Sequence, residues 1–184
     1  MNALDALHSR ISAPRLGDPI PDEETLKNIY RAAFRAADHG LLRPWRFLII
    51  KGNARERLGD LFLQASLEND PNIPEEKQTN IRQKPFRAPL ILVTISSYKD
   101  HPKVPEFEQD LSAGAANQNM LVAAHAQGVG AMWRTGSMAF NSTVMKGLGL
   151  QDKEKIIGFL YLGSIQGPVK KLTEANIDDY FAEW

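Results

Sequence analysis

The sequence predicts an α+β domain in which helices cover both faces of a central sheet, a helix-sheet-helix (α/β/α) sandwich. Three observations carry the prediction. Four apolar runs, Phe47–Ile50, Leu90–Ile95, Val129–Trp133 and Ile156–Leu162, read as strands between segments of helical period. The run Leu90–Ile95 is apolar on both faces, as in a central strand covered from both sides. The helical segments between Ile50 and Val129 exclude a simple meander, and no G-x-G-x-x-G turn follows a strand, which argues against a dinucleotide-binding Rossmann domain. The pattern leaves the strand order open.

The elements follow in order. Asn2 precedes Leu4, Leu7 and Ile11 at helical spacing, so a short helix is expected to stop before Pro14. Asp22 is an N-cap candidate for a second helix with an apolar stripe of Leu26, Ile29, Tyr30, Ala33, Phe34 and Ala37. Asp38-His39-Gly40 stops it, and Arg43-Pro44-Trp45 leads into the first strand. A third helix runs from Ala54 to about Asn69, and the polar segment from Asp70 to Lys84 reads as partly helical and mobile. After the central strand, a long helix from about Glu106 to Gln127 is apolar over nearly its whole later surface. In a domain this small, such burial points to a second subunit and an intimate homodimer. Asn141 caps a short helix through Leu148, and the aromatic tail from about Ser164 to Trp184 is expected to dock on something.

Bulk properties narrow the function. With 184 residues and no Pro/Gly/Ser-rich linker, residues 1–184 read as a single domain. Lysine plus arginine (22) equals aspartate plus glutamate (22), so nothing calls for nucleic acid or an anionic membrane. The absence of cysteine removes disulfides, thiolate metal sites and a cysteine nucleophile. Met1 to Arg10 is too polar for a signal peptide and no apolar run approaches the ~20 residues that span a bilayer, so a cytoplasmic location is expected.

No protein nucleophile or metal set announces itself. His8, His39, His101 and His125 lack ligand spacing, so no metal is expected. There is no G-x-S-x-G elbow and no phosphate loop. His39, after Asp38 at a helix end, reads as a cap or a proton donor. What remains is a dispersed set of cations: Arg10, Arg15, Arg35, Arg134, and Lys170 or Lys171. The densest stretch is Gln127 to Gly136. Gly128 suits a helix C-cap, Gly130 leaves space where the turn meets the sheet, and Arg134, Thr135 and Gly136 offer a guanidinium, a hydroxyl and open backbone. Those residue types suit a phosphorylated, planar cofactor that brings its own reactive atoms.

Several segments together resemble the nitroreductase family, and its compact bacterial branch in particular. They are Ala3-Leu4-Asp5-Ala6-Leu7 with Arg10-Ile11-Ser12, Asp38-His39, Arg43-Pro44-Trp45-Arg46-Phe47, Ala126-Gln127-Gly128-Val129-Gly130, Trp133-Arg134-Thr135-Gly136 and Gly158-Phe159-Leu160-Tyr161-Leu162-Gly163. The resemblance covers nearly the whole chain. It implies an α/β/α sandwich with a central mixed, largely antiparallel sheet, and a homodimer binding two flavin mononucleotides (FMN) at its interface. It further implies NAD(P)H as reductant and a small flat acceptor, a nitroaromatic or quinone. By position, the resemblance places the triplet Arg10, Ile11 and Ser12 at the FMN phosphate or ribityl chain, with Arg10 as the principal cation. It places Trp133, Arg134 and Thr135 along the cofactor, Arg35 and His39 as contacts from the other subunit, and either Lys170 or Lys171 at the phosphate. Ala123 to Gly128 matches a segment associated with the nicotinamide nucleotide. Two positions depart from the family pattern. Ile11 replaces a second arginine, and Gly40-Leu41-Leu42 stands where larger relatives place an asparagine. An FMN-dependent dehydrogenase of a carbon substrate, a flavin-binding protein without turnover and a flavin-free interaction domain are the competing readings.

Overall fold

The computed structural model describes residues 1–169 and 171–184. Asn2 opens α1 (Ala3–Ser9), its side-chain oxygen accepting the Asp5 N–H at 2.9 Å. This helix ends two residues short of Ile11, and Leu4 and Leu7 point outward while Ala6 is the buried member. The expected stripe is therefore real but faces away from the chain's own core. A two-residue strand, β1 (Leu16–Gly17), follows; nothing in so short a stretch produces a periodic signal. Asp22 caps α2 (Glu23–Ala33), as its position suggests, accepting the Thr25 N–H at 2.8 Å. That helix stops before Phe34 and Ala37, leaving Phe34 exposed.

After β2 (Trp45–Lys51) come α3 (Ala54–Asn69) and α4 (Glu75–Arg82), the latter inside the polar segment. Gly59 lets the two helices touch, because a Cβ there would collide with the Arg82 carbonyl. A 3-10 turn (Lys84–Arg87) leads into β3 (Leu90–Ser97), and α5 (Glu106–Ala126) then crosses the sheet before β4 (Gly130–Arg134). Asn141 caps α6 (Ser142–Gly147), and β5 (Glu154–Ile165) extends its apolar run by two residues at the polar start and three at the far end.

β5 organises the sheet. It pairs with β3 along Glu154–Leu162, with β4 along Phe159–Gly163 and with β1 at Ser164–Ile165, while β2 flanks β3. These pairings are all antiparallel, so the largely antiparallel character expected of the sheet holds within one chain. The side-chain period of two splits the core into two layers. Ile91, Val93, Phe159 and Tyr161 face Leu58 and Phe62 of α3 and Ile81 of α4. Leu90, Leu92, Leu160 and Leu162 face Ile29 of α2 and Ala113, Ala116 and Met120 of α5. The two-faced apolarity of β3 is thus accounted for. Among the described residues, no helix is long and apolar enough to cross a membrane.

Candidate functional site

Two glycines fix the entry to β4. α5 closes in a Schellman motif, with Gly128 at φ 75° donating to the His125 carbonyl and Val129 donating to the Ala124 carbonyl, each at 2.9 Å. Gly130 comes next, where a Cβ would lie 2.5 Å from Leu16 Cδ2 and 2.6 Å from Ile165 Cγ1. β4 leaves the sheet at Gly136, whose φ of 72° and ψ of −172° lie in a region essentially confined to glycine.

The segment after α1 runs beside β4. Ser9 Oγ lies 3.0 Å from His125 Nε2, which holds the end of α1 against the last turn of α5. Ala13 donates its N–H to the Ala131 carbonyl at 2.9 Å, and Arg134 Nη2 donates to the Pro14 carbonyl at 3.0 Å. Arg10 Nη1 donates to Ser12 Oγ at 3.2 Å. Ile11 sits half-buried between them. Ala13 and Pro14, the two residues after the Arg10-Ile11-Ser12 triplet, are thus tied to Ala131 and to Arg134 by bonds to backbone and not by sequence proximity.

Arg134 is the centre of this corner. Its guanidinium stacks over Tyr161 with 5.4 Å to the ring centroid, and its Nε is buried without a hydrogen-bond partner. Burial, helped by repulsion from Arg87, lowers its pKa from the ordinary arginine value. Burial pushes the Tyr161 hydroxyl up to about 12 despite Arg134 and Arg87, so it remains a protonated donor at neutral pH. Both border a cleft of about 350 Å³ with Thr135 and Gly136. Lys84 and Arg87 border it too; they stand 50 and 47 residues before Arg134, at and just beyond the end of the polar segment, so no local spacing links them to it. Trp133 borders the cleft, but its indole packs against Gly158 and α5, where a Cβ on Gly158 would collide with Nε1.

Arg35 and His39 lie elsewhere. His39 Nδ1 is 2.6 Å from Glu108 Oε2, near the start of α5, whereas Ser9 is bonded to His125 near its end. Glu108 and His125 are separated by about 25 Å along the helix, at a rise of about 1.5 Å per residue. One chain therefore does not bring His39 to Arg10. The loop at His39 is strained, with Leu41 at φ 54° and Arg43 at φ 47°, and Leu41 is 81% exposed. Phe34, at the end of α2, and Phe107 and Leu111, in the first turns of α5, are exposed too. Lys171 is exposed beyond β5, and Lys170 lies outside the described residues. Gln127, Gly128 and Val129 line a separate hollow with Pro19 and Asp22, away from the Arg134 cleft.

A family model, described as the nitroreductase family, matches residues 16–164. The chain belongs to the nitroreductase family. A relative named "Putative NAD(P)H nitroreductase YdjA", from Escherichia coli strain K12, is 40% identical over 179 residues, covering 97% of this chain and 96% of that protein. Among solved structures, a nitroreductase-like family protein from Bacillus cereus superposes with a TM-score of 0.87 at 20% identity, covering 100% of this chain and 96% of the other. The FMN and NADPH-dependent nitroreductase NfnB from Sphigopyxis sp. strain HMH gives 0.75 at 19% identity, covering 100% and 99%. The α/β/α architecture inferred from the strand and helix pattern of this family member is the fold of these solved structures.

Proposed function

We propose that the chain is an FMN-dependent oxidoreductase that takes reducing equivalents from NAD(P)H and passes them to a flat acceptor of the nitroaromatic or quinone type. The observation that carries the reading is Arg134, with its buried, unpartnered Nε beside the open backbone of Thr135 and Gly136. An orphaned guanidinium nitrogen in a cleft without a carboxylate suits a ligand rich in acceptor atoms. The donor set fits FMN. Arg10 and Ser12 would take the phosphate or ribityl end, Arg134 and Thr135 the ring, and Lys170 or Lys171 a further phosphate contact. Family membership and the relatives' names support the same cofactor and reductant.

Bound there, FMN supplies hydride chemistry that no side chain of the cleft offers. The chain's own residues bind and orient. Arg134 places positive charge where negative charge develops during reduction, in a partly dehydrated setting where it counts for more than in water. Tyr161 adds a protonated hydroxyl, and Phe62, Phe159 and Met132 keep one wall apolar, so reductant and acceptor can stack in turn in the same space, a ping-pong sequence.

The about 25 Å between the Arg10 and His39 ends of α5 supports a site completed by Arg35 and His39 of a second copy. Exposed Phe34, Leu41, Phe107 and Leu111 supply apolar surface for that contact, each contributing on the order of 1.5–3 kcal/mol if fully covered. The exposed aromatic tail, with Tyr180, Phe181 and Trp184, would dock on the same partner.

The test is the absorbance spectrum of the purified protein, followed by anaerobic addition of NADPH and then an acceptor. Flavin absorbance bleached by NADPH and restored by a quinone is expected. A yellow protein that neither NADPH nor NADH bleaches would overturn turnover. A colourless protein that gains no stability from FMN would overturn the cofactor, since ligand at 100 times its Kd adds about 2.7 kcal/mol.

A further inference from the structure

Three cations, Lys84, Arg87 and Arg134, border the cleft, and no acidic side chain does. Arg134 has the Pro14 carbonyl and the Tyr161 face. Among the described residues, Lys84 and Arg87 have neither a hydrogen bond nor an ion pair from their side chains. Burial and the charges of Arg87 and Lys77 lower the Lys84 pKa, so positive charge here is held against its own repulsion. An anion would relieve that strain.

The two side chains are also built into place. They stand three residues apart in a 3-10 turn, where positions i and i+3 eclipse, so both project to one side. Pro85 is buried beneath the turn, and Phe86 donates its N–H to the Gln83 carbonyl at 3.0 Å. Arg55 clamps the turn from behind. Its guanidinium stacks 5.0 Å from the Phe86 ring centroid and its Nη1 donates to the Ala88 carbonyl at 3.1 Å. The opposite lining is apolar, with Phe62, Met132, Met138 and Phe159. A flat apolar body with an oxyanion at one edge matches both parts.

We propose that the Lys84–Arg87 turn is an oxyanion subsite, binding the carboxylate, sulfonate or phosphate of the molecule that stacks beside Arg134. The proposal rests on the oxidoreductase reading for what stacks there, and it narrows the substrate class to flat acids. Arg10 and Arg134 already serve the phosphate and ring of the cofactor in that reading, which leaves Lys84 and Arg87 for the substrate. The oxyanion belongs either to the acceptor or to the phosphates of the nicotinamide nucleotide, and the two sources separate experimentally.

The experiment is calorimetric titration of the purified protein with 4-nitrobenzoate and with its neutral counterpart 4-nitrobenzamide. The native protein is expected to bind the acid about 10-fold or more tighter, the scale of one charge-assisted hydrogen bond. Arg87→Gln should bring the ratio near one while leaving the amide affinity unchanged, and Arg87→Lys should restore part of the preference. If the oxyanion is a nucleotide phosphate, Arg87→Gln raises the KM for NADPH and leaves the acid-to-amide ratio alone. Equal binding of acid and amide by the native protein, with no NADPH effect in the variant, overturns the proposal. So does loss of bound flavin in Arg87→Gln, which would assign the turn to the cofactor. A colourless native protein would sink the oxidoreductase reading instead, and the acid-to-amide ratio would still be measurable on it.

Discussion

At the Glu154 end of β5, Arg46, Lys153 and Lys155 each meet an acid; at the Tyr161 end, Lys84, Arg87 and Arg134 meet none. Arg46 donates Nε and Nη2 to the two oxygens of Glu154 at 2.7 and 2.6 Å, tying β2 to β5 across β3. Lys155 pairs with Asp110 and Lys153 with Asp100. Two kinds of cation, drawn from several elements, thus gather at the two ends of β5. Paired cations join elements of the fold, and unpaired ones stand ready for a ligand.

The largest expected effect lies at the unpaired end. Arg134→Ala should weaken FMN binding by about 2–3 kcal/mol, roughly 30-fold to 150-fold, read by titrating stripped protein with the flavin. An unchanged Kd would break the comparison, because Arg134 would then be a structural group bonded to Pro14. At the paired end the signs reverse. Glu154→Gln should leave flavin affinity alone and cost about 2 kcal/mol of stability in denaturant, by removing the acceptor of two charged donors. The pH dependence sharpens this. Its hydrogen bonds from Arg46 hold the Glu154 carboxyl at about 2, below the ordinary glutamate value. A depressed carboxylate contributes stability above the unfolded-state pKa, about 4.3, and that contribution is lost as pH falls toward 2. Acid unfolding of Glu154→Gln should therefore be shallower than that of the native protein over this window. The smallest effect belongs to Lys153→Ala, whose exposed pair with Asp100 should leave the unfolding midpoint unchanged within error.

The fold was largely legible because its signals are local. The double-sided apolarity of Leu90–Ile95, the helical period of residues 54–69 and the glycine after α5 each act within one element, and each appears as expected. The site was legible only in part. Gly130 could be read as a close approach, but its neighbours Leu16 and Ile165 come from a strand too short to show a pattern and from the unexpected end of β5. Lys84 and Arg87 escaped because their relation to Arg134 depends on α4 folding back onto α3. The one local hint was a proline between two cations three residues apart. The outward Leu4 and Leu7 show the converse limit, since periodicity reports a buried face without saying which chain buries it.

The separation of Arg10 from His39 by most of α5 has a genetic consequence for the proposed dimer. Chains carrying Arg10→Ala and chains carrying His39→Ala would each assemble into dimers with both sites damaged. In a mixed dimer, one site would collect both lesions and the other would be wholly native. Co-expression of the two defective genes should thus rescue about a quarter of the native sites at random pairing, although neither gene alone encodes a working enzyme.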